Sequence, residues 1–319
     1  MTAVDPDALA WPAAAHLGDG VRIENLAPLA GGASRESWSF DAVLPDGDRV
    51  PLVLRRDPEG REDPKGRARE WQALCAAHAH GVPVPEPLWQ RGGELVMRRV
   101  EGEAIPRRIL RDHRRVHGRL ADQLAAAAAA IHAIPLAELP ELEMPDGHPA
   151  LAAIGALERQ LDETGEPRPA LELGLRWLRA NVPPPRRAAL VHGDFRLGNF
   201  LVGPNGLAAV LDWELCHAGD AIEDLGWLCI RSWRFGNDDR PAGGMGTRRR
   251  LREAYAEAGG AEVDADELRF WEVFGNVRWG VICIVQASAH LSGERPSLEL
   301  AAIGRRTCEP EWDLLAMLG

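Results

Sequence analysis

The chain is 319 residues long, 45% hydrophobic and 27% charged, enough for one large domain or two lobes around sizeable cores. A net charge of −11 excludes the basic footprint of a nucleic-acid binder, and no run of about 18 uninterrupted apolar residues could span a membrane. Five scattered cysteines without a C-x-x-C pair, and a start ("MTAVDPDALAWPAAAHLG") too acidic for a signal peptide, lead us to expect a cytoplasmic protein without disulfides, structural zinc, nucleic-acid partner or membrane partner.

The first hundred residues read as strands. "VRIENLAPL" ends at Gly31-Gly32; "ESWSFDAVL" runs into the turn "PDGD", and "VPLVLRR" follows, three antiparallel strands in outline. "GRAREWQALCAAHAHG" has helical spacing and stops at Gly81. "VPVPEPLW" is extended, because its prolines fix φ and remove donors, and a Gly-Gly turn joins it to the strand "ELVMRRV".

From about Ile105 the pattern turns helical. "GRLADQLAAAAAAIHAI" is a helix by alanine content alone; "HPALAAIGALERQLDE" and "PALELGLRWLRAN" are two more. Arg111 to Arg119 reads as a solvated helix face. Short apolar strands interrupt at Ala189 to Val191, Phe200 to Val202 and Leu207 to Leu211. Helices then run over Ile222 to Arg231, Thr247 to Ala258, Asp266 to about Leu291, and Leu298 to the end; Arg240 to Gly246 reads as a mobile loop. The domain reading is a β-rich lobe over residues 1–100 and a helical lobe over 101–319.

One stretch carries chemistry. "VHGDFRLGNFLV" lifts Asp194 out of an apolar run, with Asn199 five positions on, and "AVLDWE" lifts out Asp212. Unpartnered polar groups are costly in such settings. A phosphoryl-transfer site needs a carboxylate to orient the acceptor hydroxyl and oxygen ligands for Mg²⁺ on the phosphates. Singly, these residues could be an Asx-turn, a cap and a loop start. By composition H-G-D-x-x-x-x-N arises by chance in about one chain in a thousand of this length, so the joint spacing favours the site.

With these motifs in hand the sequence resembles the aminoglycoside phosphotransferase-like family, small-molecule relatives of the protein kinases. "LVHGDFRLGNFLV" with "AVLDWELCHAGDAIEDLGWL" is most like the branch found alone in bacteria and fused to acyl-CoA dehydrogenases elsewhere. The resemblance implies an α+β, two-lobed protein-kinase-like fold, with a small antiparallel β lobe and a large, mainly helical lobe. It further implies transfer of the γ-phosphoryl of ATP or GTP, with Mg²⁺, to a hydroxyl of a small-molecule acceptor, by a monomer or homodimer.

Residue by residue, the resemblance makes Asp194 the catalytic carboxylate, and Asn199 and Asp212 the metal ligands. His192 stands with the catalytic group as a scaffold of its loop. "LAGGASRESW" matches the nucleotide-covering loop, with Gly31, Gly32 and Ser34 near the phosphates. Glu70 matches the helix glutamate that pairs with the phosphate-holding lysine. That lysine is missing: Lys65, the sole lysine, lies in a polar loop, and "PLVLRR" puts Arg55 at its place. Arginine is a fixed charge with a fork able to hold phosphate oxygens and Glu70 together, and strand alternation turns only one of Arg55 and Arg56 inward. "ELVMRRVEG" resembles the hinge, where Met97 would back the purine and the backbones of Arg98 and Val100 would bond its edge.

Downstream, Asp220 and Asp224 flank a helix start and read as braces of the metal loop. Glu214 could touch metal or be a surface residue. Trp227 and Trp233 read as helix packing or acceptor pocket, with Arg231 or Arg234 available to an anionic acceptor. The missing lysine leaves a catalytically weak nucleotide-binding pseudo-kinase as one alternative, and an antibiotic-modifying aminoglycoside phosphotransferase as another. No Walker loop, dinucleotide fingerprint, G-x-S-x-G elbow or H-E-x-x-H is present.

Overall fold

A five-stranded antiparallel sheet forms first, and the computed structural model describes it within residues 4–29, 35–58, 60 and 62–319. Helix α1 (Pro6–Leu17) leads into β1 (Arg22–Pro28), β2 (Glu36–Val43) and β3 (Arg49–Arg56); helix α2 (Pro64–Ala79) crosses to β4 (Pro87–Arg91) and β5 (Glu94–Arg98). The strand order is β1-β2-β3-β5-β4. The "PDGD" turn closes as its residues dictate: Leu44 N–H bonds Asp48 O, Gly47 N–H bonds Leu44 O, and the Asp46 carboxylate accepts from Asp48 N–H. Asp63 caps α2 by accepting from Gly66 N–H at 2.9 Å, with Pro64 in the first turn.

Helix α1 was not visible in the sequence as an element. Pro12 interrupts it, and its apolar residues make no clear stripe; Leu9 and Ala13 nevertheless dock on the sheet.

The helical part comprises α3 (Pro106–Asp112), α4 (His117–His132), α5 (Pro149–Thr164), α6 (Pro169–Ala180), α7 (Ile222–Cys229), α8 (Arg248–Glu257), α9 (Ala265–Leu291), α10 (Leu298–Gly304) and α11 (Cys308–Leu318). Two small antiparallel ribbons sit among them, β6 (Ala189–Val191) with β9 (His217–Gly219), and β7 (Phe200–Gly203) with β8 (Gly206–Val210). Helix α9, 27 residues long, is the central post; Trp271, Phe274 and Val277 are buried along it. It crosses α7 so closely that a Cβ on Gly226 would overlap the Trp271 backbone. Among the described residues no helix is long and apolar enough to cross a membrane.

Three expectations change. The stretch expected to be mobile, Arg240 to Gly246, is largely buried: Ala242 and Gly246 exchange backbone bonds, and Gly243 N–H reaches Leu228 O. Helix α7 stops at Cys229 rather than Arg231, because the buried Arg234 guanidinium caps the Cys229 carbonyl through Nε (3.1 Å) and Nη2 (2.7 Å). The last helix is two. Pro310 has no N–H for the Arg306 carbonyl, and the chain turns through a 3₁₀ step at Arg305–Thr307.

Candidate active site

β3 delivers the first residue. Leu52 and Leu54 point into the sheet core, so alternation puts Val53 and Arg55 on the opposite face, lining the cleft. Arg55 donates Nη1 to Glu70 Oε1 at 3.2 Å and Nη2 to Asp212 Oδ1 at 2.6 Å. Arg56 points away and donates Nε to Glu36 at 2.9 Å. Arg55 is therefore the inward arginine. Burial would lower its pKa, but the Asp212, Glu70 and Glu214 carboxylates outweigh burial and raise it. Burial likewise works to raise Asp212, and Arg55, His192 and Arg35 overcome it to hold that carboxyl below its ordinary value.

A cavity of about 470 Å³ opens here, bordered by Arg55, Glu70, Met97, Val100, Asn199 and Asp212. Its size falls within the roughly 300–1,000 Å³ usual for small-molecule sites. A larger cavity of about 710 Å³ lies behind the Asp194 loop, beside His132 and Tyr255, and none of the residues singled out from the sequence lines it. Chemistry, not volume, selects the first. Gly31, Gly32 and Ser34 fall outside the described residues.

The loop after β6 is built by crossing constraints. Gly193 has φ +81°, and a Cβ there would overlap the Leu215 carbonyl oxygen, so only glycine lets this turn pass under the Asp212 loop. Asp224, fully buried in the first turn of α7, accepts from His192 N–H (2.7 Å) and Gly193 N–H (2.9 Å). His132 Nε2 bonds the same carboxylate at 3.1 Å, and Tyr255 OH holds the other imidazole nitrogen at 2.8 Å. Burial works to raise the Asp224 pKa, but His132, His192 and the backbone donors together lower it. The acidic brace expected for the metal loop thus grips the Asp194 loop instead.

His192 is also buried. Its Nδ1 accepts from Asp194 N–H at 3.2 Å and its Nε2–H donates to Leu211 O at 3.0 Å, a pattern that requires the neutral ring. Burial lowers its pKa against the pull of Asp224, Asp194 and Asp212. Both nitrogens serve backbone, so the imidazole ties the two loops together and does not reach the cavity.

Asp194 receives three side chains. Oδ1 accepts from Trp227 Nε1 at 2.8 Å and Arg196 Nε at 2.9 Å, and Oδ2 accepts from Asn199 Nδ2 at 2.6 Å. With its amide nitrogen committed to Asp194, Asn199 turns its carbonyl oxygen elsewhere, and Leu211 N–H on Asn199 O (2.8 Å) holds Asp212 beside it. One amide oxygen and one carboxylate are hard donors of the kind Mg²⁺ takes when phosphate and water complete its shell. Among the described residues no three His, Cys, Asp or Glu side chains gather to hold a metal unaided.

At the expected hinge Met97, Arg98 and Val100 all line the cavity. Arg98 N–H is donated to Glu86 O at 2.9 Å, so a base contact from the Arg98 backbone falls to its carbonyl. The two arginines considered for an acceptor are also engaged: Arg234 with Cys229 O and Glu272, Arg231 with Asp238 and Asp313. Asp220 caps Ile222 N–H at 3.0 Å.

Sequence reasoning missed Arg196 and Arg35. Arg196 stands two residues after Asp194, where its short leash to the loop was the available signal; its guanidinium also lies 4.5 Å over the Trp233 ring. Trp227 and Trp233 pack with centroids 5.3 Å apart, and Arg278 covers Trp227 at 4.8 Å.

The profile of the phosphotransferase enzyme family (APH) matches residues 25–271. Acyl-CoA dehydrogenase family member 11 of Gallus gallus is 32% identical over 195 residues, 55% of this chain and 24% of that protein. Acyl-CoA dehydrogenase family member 10 of Mus musculus is 44% identical over 64 residues, 19% of this chain and 6% of that protein. The chain thus spans a quarter or less of the length of these curated relatives. Among solved structures, a candidate aminoglycoside phosphotransferase of Ralstonia eutropha superposes with TM-score 0.75 at 21% identity, over 97% of this chain and 98% of that one. An aminoglycoside phosphotransferase APH(4)-Ia mutant, solved with AMP-PNP and hygromycin B, superposes with TM-score 0.63 at 15% identity, over 98% and 99% of the two chains.

Proposed function

The chain belongs to the APH phosphotransferase enzyme family, and on that premise we propose that it moves the γ-phosphoryl group of ATP or GTP to a hydroxyl of a small molecule. The fold is the kinase-like one of the aminoglycoside phosphotransferases, and small-molecule phosphotransfer is the family's general activity. The observation that carries the reading is one bonded path: Glu70 to Arg55 to Asp212 across the cleft, with Asn199 beside Asp212 and bonded to Asp194. Arg55, Glu70, Asn199 and Asp212, scattered over more than a hundred positions, line one cavity, and Asp194 stands one hydrogen bond behind Asn199.

Each side chain then has a task. Arg55, kept in place by Glu70, forks onto phosphate oxygens once Asp212 releases it. Mg²⁺, held by Asn199 Oδ1 and Asp212, would neutralise phosphate charge. Asp194 accepts the hydrogen bond of the acceptor hydroxyl and aims its oxygen in line with the phosphorus. Asn199, Arg196 and Trp227 hold that carboxylate still. Trp227 and Arg196 bond Asp194, with Trp233 and Arg278 stacked on those two side chains, where a polycationic amino-sugar would want carboxylates; this favours a neutral or anionic acceptor.

Incubation with Mg²⁺ and ATP or GTP against a fractionated metabolite extract, read by mass, is expected to reveal a phosphorylated product. Asp194→Ala should abolish that product while nucleotide still stabilises the protein thermally. Undiminished product from Asp194→Ala would overturn the assignment of Asp194, and the absence of any nucleotide binding would overturn the reading itself.

A further inference from the structure

Glu70 holds more cations than a single phosphate-binding arginine requires. Besides Arg55 it accepts from Arg67 Nη1 at 3.1 Å and from Arg35 Nη1. Arg67 is fully buried and also bonded to Asp57, an internal strut of α2. Arg35 reaches further. Its Nε lies 3.2 Å from Asp57 Oδ1 and 3.6 Å from Glu214 Oε2, so one guanidinium joins the Glu70 helix to the loop two residues past Asp212.

We propose that Arg35 is a positioning residue of the nucleotide site, holding the Asp212 loop against Glu70 while Arg55 exchanges Asp212 for phosphate. This rests on the phosphotransfer reading above. Nη2 of Arg55 now grips Asp212 at 2.6 Å, and a phosphate oxygen competes for that same N–H. Once it is taken, the Asp212 loop loses a tie to the sheet. Asp212 has φ +66°, a left-handed backbone that persists only where its surroundings hold it.

Other contacts reach this loop from the β-sheet side, among them Arg35 to Glu214, Arg69 Nη2 to Glu214 O at 3.4 Å and Cys216 Sγ to Arg69 O at 4.0 Å. Of these only the first is a charge pair, and with side chains 8% and 21% exposed it is weakly screened by salt. None of these contacts engages Asp212 or Asn199, the residues assigned to the metal. Lysine could not replace Arg35, because Glu70 is reached from Nη1 and Asp57 and Glu214 from Nε, two separate positions that a single ammonium nitrogen cannot occupy together.

Calorimetric titration of the whole chain with AMP-PNP, with and without Mg²⁺, tests this. Arg35→Ala should weaken Mg–AMP-PNP binding roughly tenfold or more, the scale of one charge-assisted bond, and weaken metal-free AMP-PNP far less. Arg35→Lys should fail to restore the Mg²⁺-dependent part, and Glu214→Gln should reproduce most of it. Arg35→Ala binding within about twofold of wild type, or losing equally with and without Mg²⁺, overturns the proposal. If Arg35→Ala does not fold, Glu214→Gln decides by the same criterion, since it leaves the partners of Glu70 in place. Wild-type protein that binds no nucleotide would instead overturn the phosphotransfer reading on which this one rests.

Discussion

Trp227 donates its indole N–H to Oδ1 of Asp194 at 2.8 Å, so a core side chain of α7 is also a hydrogen-bond partner of the carboxylate assigned to the acceptor hydroxyl. The indole is 2% exposed and wedged against Trp233 and Trp279, which leaves it no freedom to swing away. Packing and positioning coincide in one residue.

Trp227→Phe keeps most of the packing and deletes the donor. A hydrogen bond to a charged group contributes about 1.5–3 kcal/mol, so turnover should fall on the order of tenfold while nucleotide affinity stays unchanged. Product formation rates set beside calorimetric nucleotide titration would check this. An unaltered rate would mean that Arg196 and Asn199 alone suffice to hold Asp194.

Asp224→Ala strips the partner from His192 N–H, Gly193 N–H and His132 together. Leaving such groups buried and unpaired costs roughly 3–5 kcal/mol, a large share of a typical stability. Chemical denaturation should show that loss, with a smaller one for Asp224→Asn, which keeps a single accepting oxygen. A loss below about 1 kcal/mol in the alanine variant would show that the loop does not depend on this brace.

Asp220 gives a pH signature. Burial, with Glu267 and Glu223 nearby, pushes its carboxyl up to about 6 against the opposing Ile222 N–H and Arg186. The folded value lies above the unfolded one of about 3.9, so over the window between them the unfolded chain holds fewer protons. Asp220 therefore contributes a loss of stability as pH rises from about 4 to about 6, and the deficit persists above that. Asp220→Asn keeps an oxygen for the Ile222 cap and removes the titration. Its stability relative to wild type should improve with rising pH across that window. A difference independent of pH would refute the shifted carboxyl.

Much of this was legible in one dimension, for reasons that differ by element. β2 alternates Trp38, Phe40 and Ala42 with polar residues, β3 is a short apolar run, and the turn between them has an Asp and a Gly with no other use, so strands and hairpin follow from local chemistry. Asp194, Asn199 and Asp212 stood out because polar residues in apolar runs demand a reason. Arg35 gave no such signal, since an arginine beside a glycine-rich loop is ordinary until its three carboxylates converge from distant segments. The stretch from Arg240 to Gly246 misled through its glycines, which permit a close approach to buried neighbours as readily as they permit motion.

Helix α1, β9 and the break in the last helix apart, the sequence by itself determined the order of strands and helices and the identity of the acidic and amide groups, because periodicity, turn chemistry and desolvation cost are local quantities. Only the tertiary structure decided which of two adjacent arginines faces the cleft, which loop Asp224 braces, and that Trp227 reaches Asp194. Those are outcomes of sheet register and of the tight crossing of α7 and α9, set by packing between segments far apart along the chain.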